Sequence, residues 1–449
     1  MSAQHPTMDT GAWIRSLVER CFGRYDRELH VGGLPISRIA DRHGTPLFVY
    51  DRRMLDRSLD ALKTALPPEF DVYYSVKANP NLAILRHFIL RGCGLEIASS
   101  GEFRQAILAG CPPERILFAG PGKTESELEI VLSGGIGEIH LESPTEAARI
   151  VSICRRLTVQ ARVSVRINPS GDSEGGAIRM GGKPAAFGVD EEKLDPLIDG
   201  LISEASIDFR GIHLFMGTQI LDHAVLTGQY RKAIALGRRV ATRIARPLST
   251  LDFGGGLGIP YFQGERSLDL VRLHEDLAAL MTEVRNDPAF RNTQLLVEPG
   301  RYLVGESGVY VARITDIKES RGKTFLVLDG GMHHHLAASG NLGQTIKRNY
   351  PVALLTKMAD PVAGHMEIVG PLCTPLDTLG RNVALPKAEI GDLVGFFQSG
   401  AYGRSASPMD FLSHRRPPEV WIDNGTDFLI RRRGTTEEIT QTIPLPLPL

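Results

Sequence analysis

The chain has 449 residues, 42% of them hydrophobic and 23% charged, which excludes a largely disordered polymer and supplies apolar surface for two packed domains. Lys and Arg number 51 against 52 Asp and Glu, so no overall field draws the chain to nucleic acid or to an anionic membrane, and a charged ligand must be held by local groups. No segment approaches the roughly 20 apolar residues of a membrane span, the start MSAQHPTMDT lacks the order of a secretion signal, and five dispersed cysteines without metal-ligand spacing fit a reducing compartment. A cytoplasmic location is expected.

Residues 1–48 fit no regular alternation and are expected to complete a β domain from its far end, with Phe48 to Tyr50 as the entry into the region that follows. From about Asp71 short β-rich runs alternate with helical patterns, the order of parallel strands joined by crossover helices. Strands are expected at Tyr73 to Lys77, Leu95 to Ala98, Ile116 to Phe118, Ile139 to Leu141, Ala161 to Ile167, Asp208 to Leu214, Thr250 to Phe253 and Gln294 to Glu298. Helices are expected at Ser143 to Arg156, capped by Ser143, and from about His223 to Ile244. Eight such units imply a closed (β/α)8 TIM barrel, assigned to 49–308. Within it, Asn168 to Phe187 has no periodicity and reads as a long loop on the face where barrel chemistry occurs. Val309 to Ile317, Thr324 to Leu328 and Leu393 to Gln398 are β-rich runs separated by Gly and Pro, expected to build a C-terminal, mainly-β domain over 309–425; residues 426–449, ending in TIPLPLPL, are expected to be extended.

Barrel enzymes place reactive groups at the C-terminal ends of the strands. The first unit, DVYYSVKANPN, ends with Lys77 before a turn set by Asn79 and Pro80. A lone lysine there is ordinarily a snorkelling side chain, but a desolvated one has a lowered pKa and attacks carbonyls, as bonding to pyridoxal 5'-phosphate requires. The seventh unit ends in Gly254-Gly255-Gly256 and the eighth in Glu298-Pro299-Gly300-Arg301. These are the loops that commonly hold phosphate in barrels; glycines let backbone amides approach an oxyanion, and a guanidinium adds charge-assisted bonds. A carboxylate at Glu298 facing the pyridine nitrogen would keep it protonated, and Arg166, near the end of the fifth unit, is a weaker candidate for the phenolic oxygen; ion pairing within the fold is the alternative for both.

Lys77 within YYSVKANPN, the triglycine 254–256, EPGR at 298–301, GPLC ending at Cys373 and SGAY ending at Tyr402 together resemble the fold-type III pyridoxal phosphate decarboxylases, the diaminopimelate and ornithine decarboxylase group whose barrel is alanine racemase-like. The resemblance runs from about residue 30 to 420. The wording GPLCTPLD, DGGMHHHLAASGN and FQSGAYGRSASP is most similar to the exosortase-associated and carrier-protein-linked glutamyl decarboxylase branch. It implies that Lys77 carries the cofactor, that Glu298 contacts the pyridinium, and that Gly254, Gly255, Gly256, Gly300, Arg301 and Tyr402 serve the phosphate end. It also implies a head-to-tail homodimer in which Cys373 and Asp377 reach the other subunit's site, with Cys373 as proton donor; an inert buried thiol is the alternative.

Two departures from the family pattern stand out. In GIHLFMGTQ the ring-stacking position holds Phe215 where the family has histidine, with His213 two residues before it and Thr218 three after it on the cofactor side; a phenyl ring can stack but cannot donate a proton. Thr374 follows Cys373 where lysine-pathway enzymes carry an acid, and HHHLAASGN contains no arginine, so recognition of the distal end of the substrate must differ, with Asp377 and Asp329 left as its carboxylates. The run His333-His334-His335 offers at most two ligands to one ion from a strand, so no metal is expected; it reads as a substrate contact through His334 or as a hydrogen-bonded loop. The expected function is removal of the α-carboxylate from a free, carrier-bound or condensed amino acid. The rivals are a racemase, which on this fold places arginine rather than Glu298 at the ring nitrogen, and a cofactor-binding homologue without turnover.

Overall fold

Eight parallel strands alternate with helices through the middle of the chain in a computed structural model, which describes residues 10–23, 27–170, 178–179, 184–344 and 346–440. They are β1 (Phe70–Ser75), β2 (Gly94–Ile97), β3 (Ile116–Phe118), β4 (Glu138–Leu141), β5 (Ala161–Asn168), β6 (Ile207–Leu214), β7 (Thr250–Asp252) and β8 (Gln294–Val297). Each pairs with the next, and β8 returns to β1 through Leu295 opposite Phe70 and Val297 opposite Val72, so the sheet closes on itself as the expected (β/α)8 barrel. Every strand lies within three residues of its expected bounds. The informative exception is the first: β1 ends at Ser75, and Lys77 lies in the single 3-10 turn Val76–Ala78 that follows, not on the strand.

Local chemistry accounts for the helices. Ser143 Oγ accepts from the Glu146 N–H at 3.1 Å and starts Pro144–Leu157, whose buried Ala147, Ile150, Ile153 and Cys154 recur at helical spacing toward the barrel. His223–Arg243 is capped by Asp222, which accepts from Ala224, and buries Leu226, Tyr230, Ile234 and Val240 on one face. In the long loop after β5, Val189–Asp190 pairs beside the end of β5, and Ile178–Arg179 pairs antiparallel with Gly217–Thr218 beyond β6. The rest of its glycine-rich part, 171–177 and 180–183, lies outside the described residues.

The chain forms two compact units, one of Arg57–Pro260 with Arg266–Leu303 and one of Met1–Asp56, Tyr261–Glu265 and Val304–Leu449. The second is mainly β. Its sheet runs in the order Thr378–Leu385, Gly364–Val369, Lys323–Leu328, Gly308–Ser320, Leu47–Asp51, Glu419–Asp423 and Thr426–Arg431, with Leu393–Phe396 joined to Gly308–Ser320 and to Val352–Leu354. Two expectations are corrected here. Phe48 to Tyr50 is no entry into the barrel: Leu47–Asp51 is a fully buried strand between Gly308–Ser320 and Glu419–Asp423. Nor is the chain extended from 426, because Thr426–Arg431 pairs with Glu419–Asp423 and a helical turn follows at Thr436–Ile439; the Pro-rich end, 441–449, lies outside the described residues.

Candidate active site

The turn bearing Lys77 is tied down by its own sequence. Tyr74 donates its hydroxyl proton to the Asn79 carbonyl at 3.1 Å, Asn79 Oδ1 accepts from the Asn81 N–H, and Asn81 Oδ1 accepts from Ala83 to cap Leu82–Leu90. This leaves the Lys77 side chain about half exposed (48%) at the mouth of β1, with Nζ 3.0 Å from Glu96 Oε2 on β2. Glu96 also accepts from Ser75 Oγ at 2.5 Å, so the amine sits on a carboxylate already held from below. Glu102 lies close by and accepts from the Ala98 N–H; burial, with Glu96 adding to it, pushes its carboxyl up to about 7.

The last two barrel loops reach the same end. Gly300 packs against Ser75 and Ala78, and the Ser75 N–H donates to the Pro299 carbonyl at 3.2 Å, which sets the EPGR segment against the lysine turn. Arg301, half-buried, begins the short helical turn Arg301–Val304. Gly254 and Gly256 have φ of 67° and 101°, and a Cβ at Gly255 would fall 2.4 Å from the Glu298 carbonyl oxygen, so the triglycine is demanded by both conformation and space.

Glu298 is buried, with Oε2 3.4 Å from His213 Nε2 and Oε1 3.6 Å from His140 Nδ1. Burial alone would raise its carboxyl, but His213, His140 and Lys77 beside it hold it well below the ordinary range. Burial lowers His213 to about 4 although Glu298 works in the opposite direction. Donor atoms of His140, His213 and Glu298 lie within 4.8 Å of one another, in a polar network of imidazoles packed on a carboxylate. Beside it, Arg166 pairs with Glu142 at 2.8 Å, and its guanidinium lies 5.1 Å from the Phe187 ring centre and 5.7 Å from that of Phe215. Glu142 accepts in addition from Gly120 and Gly188 N–H groups. Thr218 is half-buried, and its backbone pairs with Ile178.

In the β unit Cys373 is exposed on a turn closed by the Thr374 and Asp377 N–H groups. Asp377 is buried under that turn: Oδ1 accepts from Met332 at 2.6 Å and Oδ2 from Leu372 at 2.9 Å, and a Cβ at Gly331 or Gly370 would strike it at 2.4 or 2.2 Å. Asp329 accepts from Thr45 Oγ1 and from the Arg313 N–H, while His334 contacts the Tyr310 hydroxyl and the Arg415 carbonyl, both at 3.2 Å. The three side chains read as substrate contacts are thus spent on internal bonds. The histidine run is a turn rather than a strand, with the His334 and His335 N–H groups donating to the Gly331 carbonyl. His333, fully buried, lies 3.7 Å ring to ring from His334 and 4.7 Å from His414. Tyr402 is half-buried in the left-handed region at φ 53°.

Sequence reasoning passed over Glu96, His140, Glu142 and Asp252. Their common signal is a charged or imidazole side chain inside or just after a short parallel strand (GLEI, EIHL, TLD), where branched aliphatics ordinarily fill the barrel.

A closed barrel with a lysine in the turn after its first strand, a buried carboxylate and glycine-lined last loops is an arrangement suited to an enzyme of cofactor-assisted carbonyl-amine chemistry. Residues 52–305 match the model of the pyridoxal-dependent decarboxylases, pyridoxal binding domain. The chain is 39% identical over 410 residues to the L-glutamyl-[BtrI acyl-carrier protein] decarboxylase of Niallia circulans, covering 91% of this chain and 95% of that protein. It is 32% identical to the diaminopimelate decarboxylase of Zymomonas mobilis, covering 92% and 95%. The crystal structure of diaminopimelate decarboxylase from M. jannaschi superposes with a TM-score of 0.87 at 26% identity, over 96% of this chain and 99% of that one. The chain belongs to the pyridoxal-dependent, fold-type III decarboxylases. It is a lyase that removes an α-carboxylate.

Proposed function

We propose that the chain binds pyridoxal 5'-phosphate at the mouth of its barrel through Lys77 and decarboxylates an amino acid presented on a carrier, the kind of substrate named for its Niallia circulans relative. The observation that carries the cofactor assignment is that Lys77 and the buried Glu298 follow the ends of two adjacent strands, β1 and β8. The residues fit the group. Glu298 Oε1 is buried without a bonded partner among the described residues, an acceptor suited to a pyridinium N–H. A Cβ at Gly254 would fall 2.6 Å from the Leu214 carbonyl oxygen and 3.1 Å from the Phe215 ring, so only glycine fits at this start of the seventh loop.

Lys77 holds the cofactor, and Glu96 keeps its amine aimed into the mouth. Glu298 holds the proton on the ring nitrogen. The triglycine amides, Gly300, Arg301, Thr218 and Tyr402 would serve the phosphate, and Arg166 and Phe215 would be available to the ring. When bound, the cofactor supplies the electron sink for the pair left behind as carbon dioxide departs. Cys373, contributed by a second copy in a head-to-tail homodimer, returns a proton to the α-carbon, and Asp377 acts through it by bracing the Cys373 turn. Mixing inactive Lys77→Ala and Cys373→Ala chains should restore turnover in hybrid dimers; mixtures that stay inactive would remove the shared site.

Support for a carrier-borne substrate comes from the β unit, where Asp377, Asp329 and His334 are engaged internally, leaving the distal group of a small free amino acid without those partners. Four of the five cysteines are buried and none is bridged, in keeping with a reducing, cytoplasmic setting, and no described helix is long and apolar enough to cross a membrane. The test is carbon dioxide release from carrier-bound glutamate and from free diaminopimelate. The carrier form should be turned over at least about tenfold more efficiently, and Lys77→Ala should abolish cofactor absorbance and cut turnover at least about a thousandfold. Equal use of both substrates would sink the carrier assignment; a lysine-free variant that still decarboxylates would sink the role of Lys77.

A further inference from the structure

Five ionisable side chains line the barrel interior beneath Lys77, all 5% exposed or less: Glu138 and His140 on β4, His213 on β6, Asp252 on β7 and Glu298 just beyond β8. They form a continuous column. His213 Nε2 and His140 Nδ1 face the two oxygens of Glu298 at 3.4 and 3.6 Å, and on its other side His140 Nε2 faces Glu138 Oε1 at 3.6 Å and Asp252 Oδ2 at 3.7 Å. These separations are long for hydrogen bonds, and a shift of about 0.5 Å would close them. Both nitrogens of each histidine, Glu138 Oε1, Asp252 Oδ2 and Glu298 Oε1 have no other bonded partner among the described residues. The remaining polar neighbours are Thr250 Oγ1, 2.9 Å from Glu138 Oε2, the Gly254 N–H, 2.7 Å from Asp252 Oδ1, and the Ser164 and Tyr230 hydroxyls beside Glu138 and Asp252; Lys77 and Arg166 are the nearby cations acting on Glu298 and His213.

Three ionised carboxylates side by side in a dry interior repel one another, so a column whose two imidazoles are neutral holds a carboxyl proton. Donor counting leaves two positions for it, Glu138 and Asp252, each with one oxygen facing His140 Nε2, and their surroundings choose between them. Glu298 has an imidazole nitrogen at each oxygen. If His140 donates from Nδ1 to Glu298, its Nε2 is an acceptor and needs a donor opposite. Glu138 already receives the Thr250 hydroxyl, and although burial opposes it, His140, Ser164 and Thr250 hold its carboxyl below the ordinary range. Asp252 has the reverse surroundings, since burial and the adjacent Glu298 raise its carboxyl well above that range.

We propose that Asp252 is a positioning residue kept as the carboxylic acid: it donates to Nε2 of His140, which donates from Nδ1 to Glu298, so that one anion alone faces the cofactor ring. The proposal deepens the reading given above and rests on it only for the role of Glu298.

Infrared spectroscopy of the full-length chain, with and without pyridoxal phosphate, tests it. A protonated-carboxyl stretch is expected at neutral pH, lost in Asp252→Asn and retained in Glu138→Gln. Asn copies the acid, accepting from Gly254 and donating to His140, so Asp252→Asn should keep the position of the visible cofactor band and the dissociation constant within about threefold, whereas Asp252→Ala should weaken cofactor binding about tenfold or more. The Glu102 carboxyl, raised to about 7, contributes equally to every variant and cancels in difference spectra; a wild-type-minus-Asp252→Asn difference without the stretch, or a wild-type-minus-Glu138→Gln difference with it, would overturn the assignment. Failure of the decarboxylase reading would be seen separately, as absence of carbon dioxide from every amine with the infrared pattern intact.

Discussion

Both units bury polar side chains, but they treat them differently. In the β unit nearly every such group is bonded at short range: Asp377 to two backbone N–H groups, His335 to Ser399 at 2.8 Å, Asp329 to Thr45 and Arg313. In the barrel Glu96 and Glu142 are bonded as closely, but the column of Glu138, His140, His213, Asp252 and Glu298 is held at 3.4–3.7 Å with atoms left unpartnered among the described residues. Saturated groups build a frame, whereas buried groups kept short of partners hold binding or proton-handling capacity in reserve at a cost in stability. The β unit has exceptions, among them Arg404 Nε and both nitrogens of His333, which lack hydrogen-bond partners among the described residues.

The contrast predicts opposite responses to mutation. Glu298→Gln should lower kcat/KM by about 10²–10³-fold, the scale for losing one electrostatic stabiliser at a reacting site, with little change in Tm; a large loss of Tm at near-normal turnover would place Glu298 with the frame. Asp377→Ala should do the reverse to the fold, costing about 2–4 kcal/mol in chemical denaturation because two buried N–H groups lose their acceptor. If stability is unmoved, the Cys373 turn is not braced as described.

Acid should sharpen the difference further. Burial, with His414 nearby, lowers His333 to about 4, and burial lowers His335 to about 3. The unfolded chain takes up these protons first, near the ordinary value of about 6.5. The stability they contribute is therefore complete above that pH and is lost as pH falls from about 6.5 toward 4, at up to about 1.4 kcal/mol per pH unit for each histidine. Denaturation midpoints between pH 7 and 4.5 would measure the slope, and a flat profile would contradict it. His333→Phe gives the smallest effect: within about 1 kcal/mol at pH 7, but a shallower acid slope, because an unpartnered imidazole has no bond to lose. Lost turnover with unchanged stability would instead make His333 part of the site.

The barrel was legible because its strands alternate with helices at regular intervals; Lys77 and the glycine loops stood out only as ordered motifs, since a lone strand-end lysine ordinarily snorkels and turns use glycine freely. Lys77 was nonetheless expected on a strand, since VKA reads as extended until the Asn79 and Asn81 bonds that tighten it into a turn are known. The polar column escaped notice because Glu138, His140 and Asp252 are distant in sequence from Glu298 and meet only when the sheet closes. Periodicity could not place Leu47–Asp51 either: a short apolar run beside a barrel looks like its first strand, and only pairing partners some 260 and 370 residues later assign it elsewhere.

That strand also orders events during synthesis. Leu47–Asp51 leaves the ribosome early but is hydrogen-bonded on one side by Gly308–Ser320 and on the other by Glu419–Asp423, so five residues that end up wholly buried must wait while the intervening barrel is made. A truncation before Glu419 would strand one of its edges, and such an unpaired apolar edge seeds aggregation. Removing the last strands should therefore yield insoluble protein rather than a merely slower enzyme.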